Sequence, residues 1–116
     1  MTDSNCIFCK ISSGQIPSKV AFENDEIFAF HDIAPVAPVH VLIIPKKHIV
    51  GLNDLGAEDV TLLGNIMRVA QSLAKDLGID KTGYRVVNNC GSDGGQTVHH
   101  LHFHLLGGRS MTWPPG

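Results

Sequence analysis

From His100 the chain alternates imidazole and apolar side chains, His100-Leu101-His102-Phe103-His104-Leu105. A period of two is a strand signal, because successive side chains point to opposite faces. It places His100, His102 and His104 on one face, neighbours about 6–7 Å apart, and turns Leu101, Phe103 and Leu105 toward a core. Other strands are predicted at Val20–Glu23 and Ile27–His31, a hairpin around Asn24-Asp25-Glu26, and at Gly83–Asn88. Val39–Ile44 is apolar except for His40, as a central strand would be. Pro35 and Pro38 force a loop before it and Pro45 stops it. Apolar spacing predicts one long helix from about Ala57 to Leu77, with Leu63, Ile66, Met67, Ala70, Leu73, Ala74 and Leu77 on its inner face. Gly78 suits its C-terminal stop. Gly64 inside it costs about 1 kcal/mol relative to Ala, which close packing on a neighbouring element or subunit would explain. Cys6–Ile11 reads as a short helix or turn ending by Gly14.

Composition narrows the classes. With 116 residues the chain is read as one domain, 1–116, small enough that dimerisation would help it. A net charge of −2 and a pI near 6.3 argue against a broad nucleic-acid or membrane surface. Lys46-Lys47 is the one adjacent basic pair and reads as a solvated loop. No apolar run reaches the roughly 18 residues of a membrane span. Met1-Thr2-Asp3-Ser4-Asn5 lacks the features of a signal peptide. Three cysteines, an odd number, suit a reduced, cytoplasmic protein.

The chemistry concentrates around the alternating stretch, since four of the seven histidines lie within His99–His104. A lone buried histidine is usually a satisfied core residue, but three on one face each need a partner. A three-histidine metal site is the other bland reading. Neither explains the Gly-rich turn Gly91-Ser92-Asp93-Gly94-Gly95 just before it, which is able to bring backbone N–H groups close to an anion. An imidazole row beside such a loop suggests phosphate chemistry. Neutral imidazole is nucleophilic near pH 7 without a separate base, and His102, flanked on both sides, is the expected nucleophile. Cys6 and Cys9 have a spacing that can offer two thiolates to one tetrahedral ion. Two buried small residues is the alternative; a redox dithiol lacks its usual βαβ surroundings.

His100-Leu101-His102-Phe103-His104-Leu105-Leu106 resembles the histidine triad motif of the HIT superfamily. Phe30-His31-Asp32-Ile33, Ala37-Pro38-Val39-His40, Ile44-Pro45-Lys46-Lys47-His48-Ile49 and the ending Gly107-Gly108-Arg109-Ser110-Met111-Thr112-Trp113-Pro114-Pro115-Gly116 are similar to its Hint branch. The resemblance implies an α+β fold: a five-stranded, mainly antiparallel sheet with one long and one short helix, dimerising into a ten-stranded sheet. It implies hydrolysis of purine nucleoside 5′-phosphoramidates, without a catalytic cofactor, through a nucleotidyl-histidine on His102. The carbonyl of His100 would fix the His102 tautomer, His104 would bond the phosphate and leaving group, and His40 would tune the cluster. Asn89 with Gly95, Gln96 and Thr97 would cradle the phosphate. Asp32 would accept the ribose hydroxyls, and Ile7, Phe8, Ile11, Ile16 and Ile33 would form an adenine slot. Some relatives pair the cysteines with two histidines, which here implies a structural zinc on Cys6, Cys9, His48 and His100. Trp113 would reach the partner subunit's active site in a homodimer.

Three positions depart from the family pattern: His99, expected on the core side of the triad strand, and Asn88 and Cys90, flanking Asn89. Two other functions share these residues. One is hydrolysis of dinucleoside polyphosphates or nucleotidyl transfer with the same nucleophile. The other is a zinc-containing nucleotide-binding module without turnover.

Overall fold

The computed structural model describes residues 3–116. Five strands, β1 (Val20–Glu23), β2 (Ile27–His31), β3 (Val39–Pro45), β4 (Tyr84–Val87) and β5 (Phe103–Gly107), form one sheet in the order β1-β2-β3-β5-β4. Every neighbouring pair is antiparallel. The most apolar run, β3, takes the centre, as a strand covered on both faces must. Pro45 is its last residue rather than its stop: its carbonyl takes the hydrogen bond of the His100 ring and its missing N–H falls at the strand's end.

Alternation along β3 and β5 sorts the chain into two packed layers. Ile27, Ala29, Val41, Ile43, Leu101, Phe103 and Leu105 meet the long helix α2 (Val60–Asp76) through Leu62, Ile66, Val69, Ala70, Leu73 and Ala74. On the other face Phe28, Phe30, Leu42 and Ile44 pack with Cys6, Phe8 and Cys9, which the short helix α1 (Ile7–Ser12) and its entry supply. Each such fully buried aliphatic or aromatic side chain contributes roughly 1.5–3 kcal/mol, so both faces of the sheet are stably covered. His40 on β3 and His104 on β5 lie on the α1 face: Leu42, two residues beyond His40, pairs directly with His104. That layer carries the chemistry.

Some expectations are corrected here. Ala57–Asp59 forms a 3-10 turn, and α2 begins only at Val60. Its inner face is also rotated: Leu62 and Val69 are buried and Met67 is exposed. Position 69 lies three and four residues from 66 and 73, so it completes the stripe better than 67. The triad strand begins at Phe103, because His100 and Leu101 turn away to meet the residues following β3; the Leu101 amide donates to Ile49 O at 2.6 Å. The basic pair lies at the surface, as read, and makes ion pairs there. Lys46 Nζ lies 2.7 Å from Glu23 Oε2, and Lys47 Nζ lies 2.7 Å from Asp59 Oδ1, whose other oxygen accepts from the Gly56 amide.

Candidate active site and metal centre

His102 is buried, and its Nδ1 lies 2.7 Å from the His100 carbonyl oxygen. A carbonyl only accepts, so Nδ1 carries the proton and Nε2 keeps its lone pair. The ring stacks edge-on against Phe8 (centroids 5.1 Å apart) and against His104 (5.1 Å). Asn88 braces the same backbone: its Nδ2 donates to His102 O at 2.9 Å. That gives Asn88, unexplained in the sequence, a structural task that no pattern signalled. Its Oδ1 is buried without a partner among the described residues.

His104 and His40 form a second unit. His40 Nε2 and His104 Nδ1 are 2.9 Å apart, and Asp32 Oδ2 lies 3.5 Å from the same His40 nitrogen. Burial pushes the His104 pKa down to about 4, helped by His102 and His40. Burial also lowers that of His40, against the pull of Asp32. Both rings are therefore neutral near pH 7.

His100 does not join this row. Its ring turns instead to His48 (centroids 5.1 Å apart) and to the cysteines, with Nδ1 3.3 Å from Cys6 Sγ and 3.5 Å from Cys9 Sγ. The expectation that three imidazoles share one face fails because the chain bends at Val98–His100, before β5 begins. His48 Nδ1 completes the group at 3.4 Å from Cys9 Sγ, and all four donor atoms lie within 4.8 Å of one another. A tetrahedral zinc with bonds near 2.0–2.3 Å requires ligand–ligand edges of about 3.3–3.8 Å, and the three contacts of 3.3, 3.4 and 3.5 Å match. The surroundings also fit. His100 Nε2 donates to Pro45 O at 2.7 Å, which leaves its Nδ1 lone pair for an ion, and Asp3 Oδ2 lies 3.8 Å from His48 Nε2. The Cys6 and Cys9 sulfurs accept from the Cys9 and Asp3 amides at 3.3 and 3.4 Å. Burial pushes the His100 pKa to about 4 and raises that of Cys9; coordination would reverse the latter. A cleft of about 400 Å³ borders Cys6 and His48 and offers an entry path.

The glycine-rich loop is held from within. Gln96 Nε2 donates to Val50 O at 2.7 Å and to Val98 O at 3.1 Å, while its Oε1 accepts from the Gly91 amide at 3.1 Å. Gln96 thus braces the loop to the segment after β3. Gly51 makes room for it, since a Cβ there would sit 3.2 Å from Gln96 Oε1. Asn89 Nδ2 donates to Gly94 O at 2.7 Å, and the Gly95 amide donates to Ser92 O at 3.1 Å. Gly95 has φ +79°, a left-handed conformation that suits glycine. Thr97 is exposed at the loop's exit.

This architecture can be compared with known proteins. The HIT domain family model matches residues 13–111. The chain belongs to the HIT domain family. A HIT family hydrolase from Legionella pneumophila Philadelphia 1 superposes with a TM-score of 0.95 at 57% identity, covering 97% of this chain and 100% of that one. The Adenylylsulfatase HINT1 of Arabidopsis thaliana is 46% identical over 99% of this chain and 79% of its own. A 14 kDa zinc-binding protein of Zea mays is 48% identical over 100% of this chain and 91% of its own. The five-stranded antiparallel sheet with its long helix is the HIT fold that the triad motif implied.

The remaining family-matched positions are distributed unevenly. Phe8 is buried against the triad, while Ile11 and Ile16 are partly covered. Ile7 is exposed, and Ile33, at 99% exposure, stands clear of that cluster. His99 is exposed beside Thr97 and Val98, where a core-facing ring was expected, because the bend at His100 reverses the alternation. Trp113 is 81% exposed on the single chain, with its tail tied back by Arg85 Nη2 donating to Thr112 O at 3.0 Å. No helix among the described residues is long and apolar enough to cross a membrane.

Proposed function

We propose that this HIT protein is a hydrolase of purine nucleoside 5′-phosphoramidates that works through a nucleotidyl-histidine. The observation that carries the reading is the bond from His102 Nδ1 to the His100 carbonyl, because it leaves Nε2 unprotonated and nucleophilic. In the first step the Nε2 lone pair attacks the α-phosphorus, the P–N bond breaks, and the amine leaves hydrogen-bonded to the His104 Nε2–H, taking its proton from solvent. In the second step water attacks the phosphoryl-histidine, breaks the P–Nε2 bond and gives its proton to solvent, which releases the nucleoside monophosphate and restores His102. Asn89, Gly95 and Thr97 would contact the phosphate, and Gln96 would hold their loop in shape. Asp32 would bind the ribose and Phe8, with Ile7, Ile11, Ile16 and Ile33, the base.

One zinc on Cys6, Cys9, His48 and His100 completes the proposed holoprotein, supplying tetrahedral cross-linking and no step of the reaction. The relative named for zinc binding and the match of the four donors to a tetrahedron support it. Two thiolates that must stay reduced favour a cytoplasmic setting. We read residues 1–116 as a single domain that pairs as a homodimer. The open outer side of α2 at Val60, Gly64 and Met67 and the exposed edge residues Tyr84 and Val86 support that assembly. The partners so proposed are a purine nucleotide and a second copy of the chain, with neither nucleic acid nor membrane.

A second reading is favoured by the relative named adenylylsulfatase. The same attack on an α-phosphorus would expel sulfate instead of an amine. Incubating the pure protein with adenosine 5′-phosphoramidate, an aminoacyl adenylate, adenylyl sulfate and a diadenosine polyphosphate, and following AMP release, separates the possibilities. Fastest turnover of the phosphoramidate is expected. Preference for adenylyl sulfate or the polyphosphate would replace the assignment, and AMP from none of them would favour a binding module.

A further inference from the structure

His40 is gripped on the side away from His104 by groups to which the reaction above gives no role. The Val36 amide donates to His40 Nδ1 at 3.1 Å. A main-chain amide only donates, so Nδ1 carries the lone pair and the ring proton sits on Nε2. A separate contact favours the same proton: the Asp32 carboxylate, an acceptor, lies 3.5 Å from Nε2. His40 Nε2–H then donates to His104 Nδ1 across 2.9 Å. His104 must therefore hold its own proton on Nε2. Behind Val36 stands one more group, since Arg109 Nε donates to the Val36 carbonyl at 3.0 Å while its Nη1 donates to Ser110 O at 3.1 Å.

We infer that Arg109 and the Val36 peptide are a positioning device. They hold the Val36 amide on His40 Nδ1, fix the Nε2–H tautomer of His40, and through it make His104 present N–H rather than a lone pair. The consequence for catalysis rests on the phosphoramidase reading, in which the His104 Nε2–H hydrogen-bonds the leaving amine. The tautomers themselves do not depend on it. Burial keeps both rings neutral near pH 7, so a tautomer is defined for each. Sequence alone has no signal for Val36, because the group that acts is its backbone N–H. Arg109 does the work of a strut: it spans from the end of β5 to the loop before β3 and touches no reacting atom.

The test is a long-range proton–nitrogen NMR spectrum of the ¹⁵N-histidine-labelled full chain at pH 7, with His40 peaks assigned by their loss in His40→Asn. In the wild type, Nδ1 of His40 and of His104 should give the signal of an unprotonated ring nitrogen and both Nε2 that of a protonated one. Val36→Pro removes the N–H and should bring up the other tautomer of both rings, whereas Val36→Ala keeps the N–H and the wild-type pattern. Arg109→Ala should lower kcat about tenfold, the scale of one hydrogen bond, with AMP affinity within about twofold of wild type. Arg109→Lys, which retains a donor, should recover most of the loss. A protonated Nδ1 on wild-type His40 overturns the inference without any variant needing to fold. So does an unchanged tautomer pattern in Val36→Pro, or a loss in Arg109→Ala that falls equally on AMP binding. If the wild type turns over no phosphoramidate, that reading fails, and the spectra still decide whether Val36 sets the His40 tautomer.

Discussion

His100 serves His102 with its carbonyl and the cysteine pair with its ring: 2.7 Å separates His102 Nδ1 from His100 O, and 3.3 Å separates His100 Nδ1 from Cys6 Sγ. One residue thus anchors both the proposed nucleophile and the proposed zinc. The second ring nitrogen of His100 donates to Pro45 O at 2.7 Å, at the end of the central strand. Whatever holds the His100 ring also holds the carbonyl that orients His102.

Zinc should therefore stabilise the fold and affect turnover only through it. Pure protein is expected to hold one zinc per chain, and Cys6→Ser or Cys9→Ser to lose it. An ion present at a thousandfold over its Kd adds about 4 kcal/mol, so chelation should lower Tm by roughly 10–20 °C. Below the lowered Tm the chelated protein should still form the nucleotidyl intermediate. Metal analysis and melting curves check this, and an immediate, complete loss of activity in a still-folded, zinc-free protein would count against a purely structural ion.

The buried rings set a pH dependence of stability. An unfolded histidine takes up a proton near pH 6.5, whereas folded His104 resists until about pH 4. Between those values the unfolded chain binds the additional proton, so stability falls as pH drops from about 6.5 toward 4 and is unaffected above 6.5. His40 shifts in the same direction. One histidine gives at most about 1.4 kcal/mol per pH unit, and partial exposure of His104 reduces that share. Comparing melts of wild type and His104→Asn from pH 7 to 5 should show a shallower fall in the variant. Parallel curves would mean that His104 protonates as easily folded as unfolded.

Gln96 should matter for the shape of the phosphate loop. Gln96→Ala removes bonds to Val50 O, Val98 O and the Gly91 amide, each worth about 1 kcal/mol at most in a partly exposed site. We expect kcat/KM to fall roughly tenfold, the Gly91 amide to exchange faster with solvent, and Tm to drop by several degrees at most. Gly51→Ala should do the same, because its Cβ would press on Gln96 Oε1. Normal kinetics with fast Gly91 exchange would show that the brace is dispensable for chemistry.

The fold was legible from residues alone to an unusual extent, and for a physical reason. The turn at Asn24-Asp25-Glu26 and a continuous apolar run between Pro38 and Pro45 locate β1, β2 and β3 within a residue. The long helix was found, but its face was assigned on Met67 instead of Val69, since apolar content does not by itself fix rotation about the axis. The cysteine–histidine cluster could be anticipated only through the family resemblance, because 39 or more residues separate Cys9 from either histidine. The bend at His100, the role of Asn88 and the Val36–Arg109 strut could not be read at all. They depend on backbone carbonyls and amides, which every residue carries alike.

The tail offers a test of the proposed dimer. Trp113 is 81% exposed on one chain, and leaving an indole in water forgoes roughly 2–3 kcal/mol of burial. A partner subunit's active site would provide that cover and let Trp113 border the leaving-group pocket. Deleting Ser110–Gly116 should then change the preference between aromatic and small amine leaving groups while the dimer and the nucleotidyl intermediate persist. An unchanged substrate ranking would reduce the tail to packing.

The most direct measurement is to trap the intermediate. Wild-type protein mixed with a radiolabelled adenosine 5′-phosphoramidate, quenched within one turnover and digested, should carry an acid-labile adenylyl group on His102, seen by mass spectrometry under alkaline conditions. His102→Ala should carry none, with kcat reduced by about 10⁴-fold or more and AMP still bound. An adduct on His40 or His104, or full turnover with no adduct at any histidine, would contradict the account.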